Sequence, residues 1–142
     1  MGGRWNYSQN DMNTFLVDFI DDKEVINTFP DLHKVIKRIT PALIKMFDDI
    51  DDYIESNEPI ENLSLYQDIY IKILKFAFLD DQEEREFAYG SIYETIRKES
   101  IRLKKVLSEL KKDKFDDKIS IIKNTITFLD GCTNTLNTVN HQ

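Results

Sequence analysis

A regular helical spacing of apolar side chains is the feature that most constrains what this chain can fold into. Over residues 32–53 these side chains recur at alternating intervals of four and three residues, at Leu32, Ile36, Ile39, Leu43, Met46, Ile50 and Tyr53. Such spacing places them on one face of an α-helix, and no segment of the sequence alternates as a half-buried strand does. The sequence therefore predicts an all-α fold.

The breaks between the periodic segments predict a single compact bundle of five to six helices. Pro41 lies inside the longest pattern without shifting its phase, which favours one long helix bent at this proline. The segment 64–79 is apolar nearly all round, so it is predicted to be the central buried helix. Gly131 is predicted to end the last helix.

A length of 142 residues is typical of one domain, here predicted to cover residues 1–142. Its two ends, residues 1–9 and 132–142, are expected to fray because they are largely polar. For the second end the alternative is that Leu136 and Val139 extend the apolar face of the last helix. The single cysteine leaves no internal disulfide, which is typical of a reducing compartment, so we predict a cytoplasmic location. The longest uninterrupted apolar run, residues 76–79, is too short for a membrane span.

The distribution of charge is more informative than its sum. The net charge is −7, but residues 1–96 hold nine Lys and Arg against twenty Asp and Glu, whereas residues 97–123 hold ten against five. An acidic first part and a basic helix near the end thus lie in one chain. Both are candidate binding surfaces.

The acidic stretch 48–61 opposes a local preference, since negative charge at the C-terminal end of a helix is disfavoured by the helix macrodipole. A partner would compensate for this, and the candidates are the chain's own basic helix, another protein or a second copy, and a divalent cation. Solvation alone is the simplest alternative. We predict a partner-binding acidic face formed by Asp48, Asp49, Asp51, Asp52 and Glu55.

The basic helix 97–118 supports an alternative function, that of a regulator associated with nucleic acid. Its candidate phosphate-binding face is formed by Lys98, Arg102, Lys104, Lys105 and Lys112. The sequence lacks a helix-turn-helix spacing and an aromatic platform, and the whole chain would repel polyanions. Nucleic acid is therefore the less favoured partner.

A metal-dependent enzyme is the third and least favoured alternative. Asp48, Asp49 and Asp52 match the D-D-x-x-D pattern with which helical isoprenoid synthases hold magnesium, and residues 80–84 form a poorer second copy. A magnesium-dependent all-α phosphohydrolase is the other form of this alternative: Glu83 and Glu86 fit the first half of the signature of the small nucleotide pyrophosphohydrolases, but Lys112 stands where its second half requires Asp. The chain is about half the size of such synthases. Short acidic patterns also arise easily among 26 carboxylates, so we predict no metal site, no cofactor and no catalytic residue.

The absence of catalytic motifs in a helical chain favours binding over turnover, because the binding surfaces of bundles leave no short signature. The sequence therefore predicts a non-enzymatic protein-interaction module, such as an inhibitor, an adaptor, an immunity-type protein or a host-modulating protein. It would bind a protein partner, or a second copy of itself, through a helical groove or through the acidic face.

Overall fold

The computed structural model describes residues 8–56, 59–113 and 116–141. These residues form six helices and no strand, which confirms the predicted all-α fold. The helices are α1 (Ser8–Asp21), α2 (Lys23–Thr28), α3 (Pro30–Ser56), α4 (Leu63–Ala77), α5 (Gln82–Asp113) and α6 (Asp116–Asn140).

The four longer helices, α3 to α6, form a bundle in which α4 and α6 contact each other and each contacts both α3 and α5. Over the described residues α3 and α5 do not contact each other, so they occupy opposite corners of the bundle. Short connections join successive helices, as in an up-and-down bundle. The helices α1 and α2 pack on each other and on α3.

The core lies between these four helices. It is formed mainly by Ile, Leu and aromatic side chains of α4, α5 and α6, together with Ala42 and Met46 of α3. Burial of this apolar surface is the main stabilising contribution, at roughly 25 cal/mol for each Å² removed from water. The largest fully buried side chains are Tyr66, Phe76, Ile69, Ile73, Leu103, Ile122, Leu129 and Leu136.

The long helix α3 runs without a break from Pro30 to Ser56, with Pro41 inside it, so the predicted single long helix is confirmed. Pro41 has no N–H to donate to the preceding turn. One residue earlier, the Thr40 hydroxyl donates a hydrogen bond to the carbonyl of Ile36 at 2.7 Å. As one unbroken helix, α3 contacts α1, α2, α4 and α6.

The predicted core helix is α4, which buries one side fully, including Tyr66, Ile69 and Ile73. Its start was predicted at Ser64, but the helix begins at Leu63, after Asn62 in the left-handed conformation with φ 54°. The reason lies in tertiary contacts: the Glu61 N–H donates to the Thr125 hydroxyl at 3.0 Å, which fixes the entry of the chain.

The chain does not fray after Gly131, and the structure has the alternative in which Leu136 and Val139 extend the last helix. The helix α6 continues to Asn140, and Cys132, Leu136 and Val139 are fully buried in it. Apolar side chains at this spacing extend the buried face by two more turns, and their burial outweighs the polar residues between them. The predicted fraying of the other end lies outside the described residues for positions 1–7, while positions 8 and 9 are helical.

Two buried arginines hold the turn between α4 and α5. The Arg38 guanidinium donates to the Leu79 carbonyl at 2.9 Å and to Asp80 at 2.8 Å. Arg85 donates to the same carbonyl at 2.8 Å and stacks over the Phe76 ring at 4.6 Å. Cations suit this position because the last carbonyls of a helix carry partial negative charge.

Candidate functional site

The five carboxylates predicted to form an acidic face do not share one surface. Asp52 and Glu55 are exposed at the end of α3, and Asp48 is half-buried beside a groove between α1 and α3. Asp51 is only 6% exposed. Asp49 turns toward α4 and α6 and takes part in internal packing. Two of the five are thus available on the outside.

Asp49 is the centre of a small polar cluster between α3, α4 and α6. The Tyr70 hydroxyl donates to its carboxylate at 2.9 Å, and the Lys45 ammonium lies 4.0 Å away. A Cβ added at Gly131 would stand 2.7 Å from the same carboxylate. Gly131 therefore makes room for Asp49 where α6 crosses α3, a role that its predicted place at a helix end did not indicate.

Burial raises the pKa of two groups in the Asp49 cluster, the Asp49 carboxyl and the Cys132 thiol. Desolvation raises the pKa of the Asp49 carboxyl, although the Tyr70 hydrogen bond and the Lys45 charge oppose this. Burial also raises the pKa of the Cys132 thiol to about 12. A thiol that stays protonated at neutral pH is a poor nucleophile, so Cys132 fits a packing role.

The basic residues of α5 are mostly on the surface. Lys98, Lys104 and Lys105 are exposed. Arg102 is held by Glu99 at 2.8 Å and by Glu61 at 3.1 Å, and this last contact ties the α3–α4 connection to α5. The side chain of the fifth predicted residue, Lys112, lies outside the described set.

The acidic face lies on α3 and the basic face on α5, so the two can pair within one molecule only if these helices lie side by side. In the described part of the chain the two helices lie at opposite corners and make no contact. Glu61, in the connection after α3, reaches Arg102 of α5 at 3.1 Å. The exposed carboxylates of α3 therefore do not face the basic helix of their own chain.

Sequence reasoning missed an apolar groove between α3 and α4. It has a volume of 340 Å³ and is lined by Met46, Ile50, Tyr53, Ile54, Leu63, Tyr66, Gln67, Tyr70, Ile71, Leu74 and Phe128. Leu63 is 48% and Ile71 43% exposed at its edge. The signal was present in α4, which has apolar residues nearly all round and therefore has more of them than one buried face can accept.

Four aromatic rings line this groove and pack against one another. The Phe128 ring lies 5.9 Å from that of Tyr53, 5.7 Å from that of Tyr66 and 5.8 Å from that of Tyr70, measured between ring centres. The contacts with Tyr53 and Tyr70 are edge-to-face, a favourable arrangement for aromatic pairs. Rings packed in this way give the groove a defined apolar floor.

On its other side, α3 forms a second, more polar groove with α6. It is lined by Asp49, Asp52, Tyr53, Ile60, Asn124, Thr127 and Phe128. Within the described part of the chain, no three His, Cys, Asp or Glu side chains lie together in a way that could hold a metal ion. In the second acidic segment, Asp80 contacts Arg38 and Lys34, and Asp81 accepts from the Glu84 N–H at the start of α5.

Comparisons with known proteins give no match, whether the chain is scanned against protein-family models, curated proteins or solved structures. Among the described helices, none combines the length and the apolar character needed to cross a bilayer.

Proposed function

We propose that this protein is a non-enzymatic interaction module that binds an amphipathic helix of a partner protein in the groove between α3 and α4. The observation that carries the proposal is the groove itself, an apolar depression with Leu63 and Ile71 exposed at its edge. Exposed apolar surface of this kind is typical of binding sites in helical proteins. The exposed acidic residues Asp52 and Glu55 do not line it.

The dimensions of the groove suit a short helix. Its residues on α4 extend from Leu63 to Leu74, which corresponds to about 16 Å or three turns. A helix of three to four turns that presents apolar side chains at positions i, i+4 and i+7 would match this length. The aromatic floor at Phe128 offers a site for a large side chain of the partner.

Cys132 and His33 belong to residue types often used in catalysis, and both have packing roles here, which supports binding rather than turnover. Cys132 is buried with a raised pKa, as described above. The ring of His33 contacts the Ile20 carbonyl at 2.7 Å, an arrangement that holds α1 against α3. These side chains have structural partners that account for their positions.

The test uses helical peptides displayed on phage, about five turns long and randomised at the apolar positions, selected on the full chain. We expect selected peptides to bind in the groove, and their affinity to fall at least tenfold with Ile71→Glu or Leu63→Glu, measured by isothermal titration calorimetry. A buried carboxylate without a partner strongly opposes binding in an apolar site.

The matched control is Phe78→Glu, which changes an apolar residue that is 55% exposed on the chain after α4 but lies outside the groove. This variant should bind the selected peptides as the wild type does. Failure to select any binder, or binders that respond equally to Ile71→Glu and Phe78→Glu, would overturn the proposal.

A further inference from the structure

The outward side of α5 carries an apolar and charged pattern that the fold does not use. The buried side of this helix includes Ile92, Ile96 and Leu103. Phe87, Glu94 and Ile101 are spaced by seven residues, or two turns, and therefore lie in one line on the opposite side. We call the set Glu83, Phe87, Gly90, Lys98, Ile101 and Lys105, centred on Glu94, the outer stripe of α5.

Large apolar side chains stand at both ends of this line. Phe87 is 80% exposed, the most exposed large apolar residue of the described chain, and Ile101 is 54% exposed. Single exposed apolar residues are common on protein surfaces, but two in register on one helix face form a pattern suited to a helical partner.

Gly90, between them, has no role in the packing of its own chain. A Cβ at this position would have no heavy atom of another described residue within 4 Å. Glycine inside a helix is destabilising relative to alanine, so its place here has no local reason. A shallow depression lies over it, bordered by Phe87 and Lys98. A glycine of this kind is suited to the close approach of a second helix from outside.

The charges on the outer stripe and directly beside it are arranged antisymmetrically about Glu94. Glu83 and Glu84 precede the centre by eleven and ten residues, and Lys105 and Lys104 follow it by the same intervals. Phe87 and Ile101 are likewise equidistant from it, at seven residues. If the α5 helices of two copies pair antiparallel about this centre, Glu83 and Glu84 of one copy therefore face Lys105 and Lys104 of the other. Phe87 then faces Ile101.

Glu94 itself would meet its counterpart at the centre of such a pair. Its carboxylate accepts a hydrogen bond from the Arg97 guanidinium of its own helix at 3.0 Å. In each copy the positive charge of Arg97 thus balances the negative charge of Glu94 at the two-fold axis. Lys98 would lie opposite Gly90, where its aliphatic stem has room to pack.

We propose that the outer stripe of α5 is a self-association surface, on which two copies of this chain pair with their α5 helices antiparallel about a two-fold axis at Glu94. An interface in which residue i faces residue j and j faces i is the usual form of a two-fold dimer. The complementary charges favour a second copy over nucleic acid, because the same stripe carries carboxylates that would repel phosphates.

This inference is independent of the proposed function. The α5 helix occupies the corner of the bundle opposite α3, so pairing through its outer stripe leaves the α3/α4 groove of each copy open. The dimer would then present two grooves, and a partner with two binding helices would gain from their linkage.

The test is sedimentation equilibrium of the full chain over a wide concentration range, at low and at high salt. We expect a dimer whose dissociation constant rises with salt, because exposed charge pairs are screened. Glu83→Lys with Glu84→Lys, and separately Lys104→Glu with Lys105→Glu, should each raise the dissociation constant at least tenfold. An equimolar mixture of these two variants should return to within about threefold of the wild type, since opposite charges then face each other again.

Two further variants separate pairing from folding. Phe87→Ser should weaken the dimer at least tenfold, while Phe78→Ser, which changes an exposed phenylalanine outside the stripe, should leave it unchanged. Gly90→Leu should raise the melting temperature of the monomer through better helix propensity and still weaken the dimer. A chain that stays monomeric at low salt, or a dimer that survives both charge reversals and Phe87→Ser, would overturn the proposal.

Discussion

The end of α3 and the outer stripe of α5 are two charged regions, and the sequence and the structure favour different ones as a binding surface. The acidic stretch on α3 has the denser charge and the more suggestive pattern, yet Asp49 is held by Tyr70 and faces Gly131 of α6. The stripe on α5 has the composition of an ordinary solvated helix, yet it exposes Phe87 and a glycine without an internal role. Density of charge alone therefore does not identify a binding surface, because tertiary packing decides which of the charged side chains stay outside.

The largest effect that tests this comparison is the loss of the Asp49 carboxylate. Asp49→Ala leaves the Tyr70 hydroxyl without its acceptor in a buried position, so we expect the free energy of unfolding to fall by about 1–3 kcal/mol. The exposed neighbour Asp52 is the control, because Asp52→Ala should change stability by less than about 0.5 kcal/mol. Urea unfolding of both variants measures the difference, and equal effects would mean that Asp49 is as dispensable as its neighbour.

The fold was predictable from the sequence where apolar spacing was long and regular. The apolar residues of α3 from Leu32 to Tyr53 kept one phase through Pro41, and the helix continues through the proline. Most of this face is partly buried and Met46 is buried, whereas Leu32 at its start is 52% exposed. The end of α6 was not predictable in the same way. Glycine is common just after the end of a helix, so Gly131 was predicted to end α6. In the structure Gly131 lies inside α6 and leaves space for the Asp49 side chain of α3, a helix distant in sequence.

The candidate sites were less predictable than the fold, for a related reason. Which of five neighbouring carboxylates turns inward depends on where α4 and α6 pack against α3, and this is a property of the tertiary arrangement. The groove between α3 and α4 likewise exists only once both helices are in place. The sequence shows that α4 has apolar residues nearly all round. This composition fits a fully buried helix as well as one that exposes Leu63 and Ile71.

Two helical glycines sharpen the comparison with effects of opposite sign. In Gly131→Ala the added Cβ would stand 2.7 Å from the Asp49 carboxylate, which must shift away from Tyr70, so we expect a net loss of roughly 1 kcal/mol after the gain in helix propensity. In Gly90→Ala the Cβ meets open space, and the monomer should gain about 0.5–1 kcal/mol.

The cause of the Gly131 effect can be isolated with a double-mutant cycle, measured by urea unfolding at high salt, where the chain is expected to be monomeric. In an Asp49→Ala background the obstructing carboxylate is gone, so Gly131→Ala should become stabilising, as at Gly90. A penalty that persists without the Asp49 carboxylate would place the obstruction elsewhere in the contact between α3 and α6.

The smallest expected effect concerns the pH dependence of stability. Burial raises the pKa of the Asp49 carboxyl above its ordinary value of 3.8, so the native chain binds this proton more tightly than the unfolded chain does. The contribution of this group to stability is then fullest below the unfolded pKa and is lost as pH rises through the folded pKa. The groups that face it and share in this balance are Lys45, Asp48 and Asp52 of α3, Tyr70 of α4 and Cys132 of α6.

The variant Asp49→Asn keeps an acceptor for Tyr70 and removes the titration. The free energy of unfolding of this variant, measured by urea unfolding against pH, should therefore rise relative to that of the wild type between acidic and neutral pH. Asp52→Asn, at the exposed position, is the control and should show no such relative rise. A relative fall for Asp49→Asn would mean that Tyr70 and Lys45 stabilise the ionised form more than burial disfavours it. In that case the ionised Asp49 would stabilise the contact between α3 and α4. Asp49 and Asp52 would then differ because Asp49 has the partners Tyr70 and Lys45, and not because Asp49 is buried.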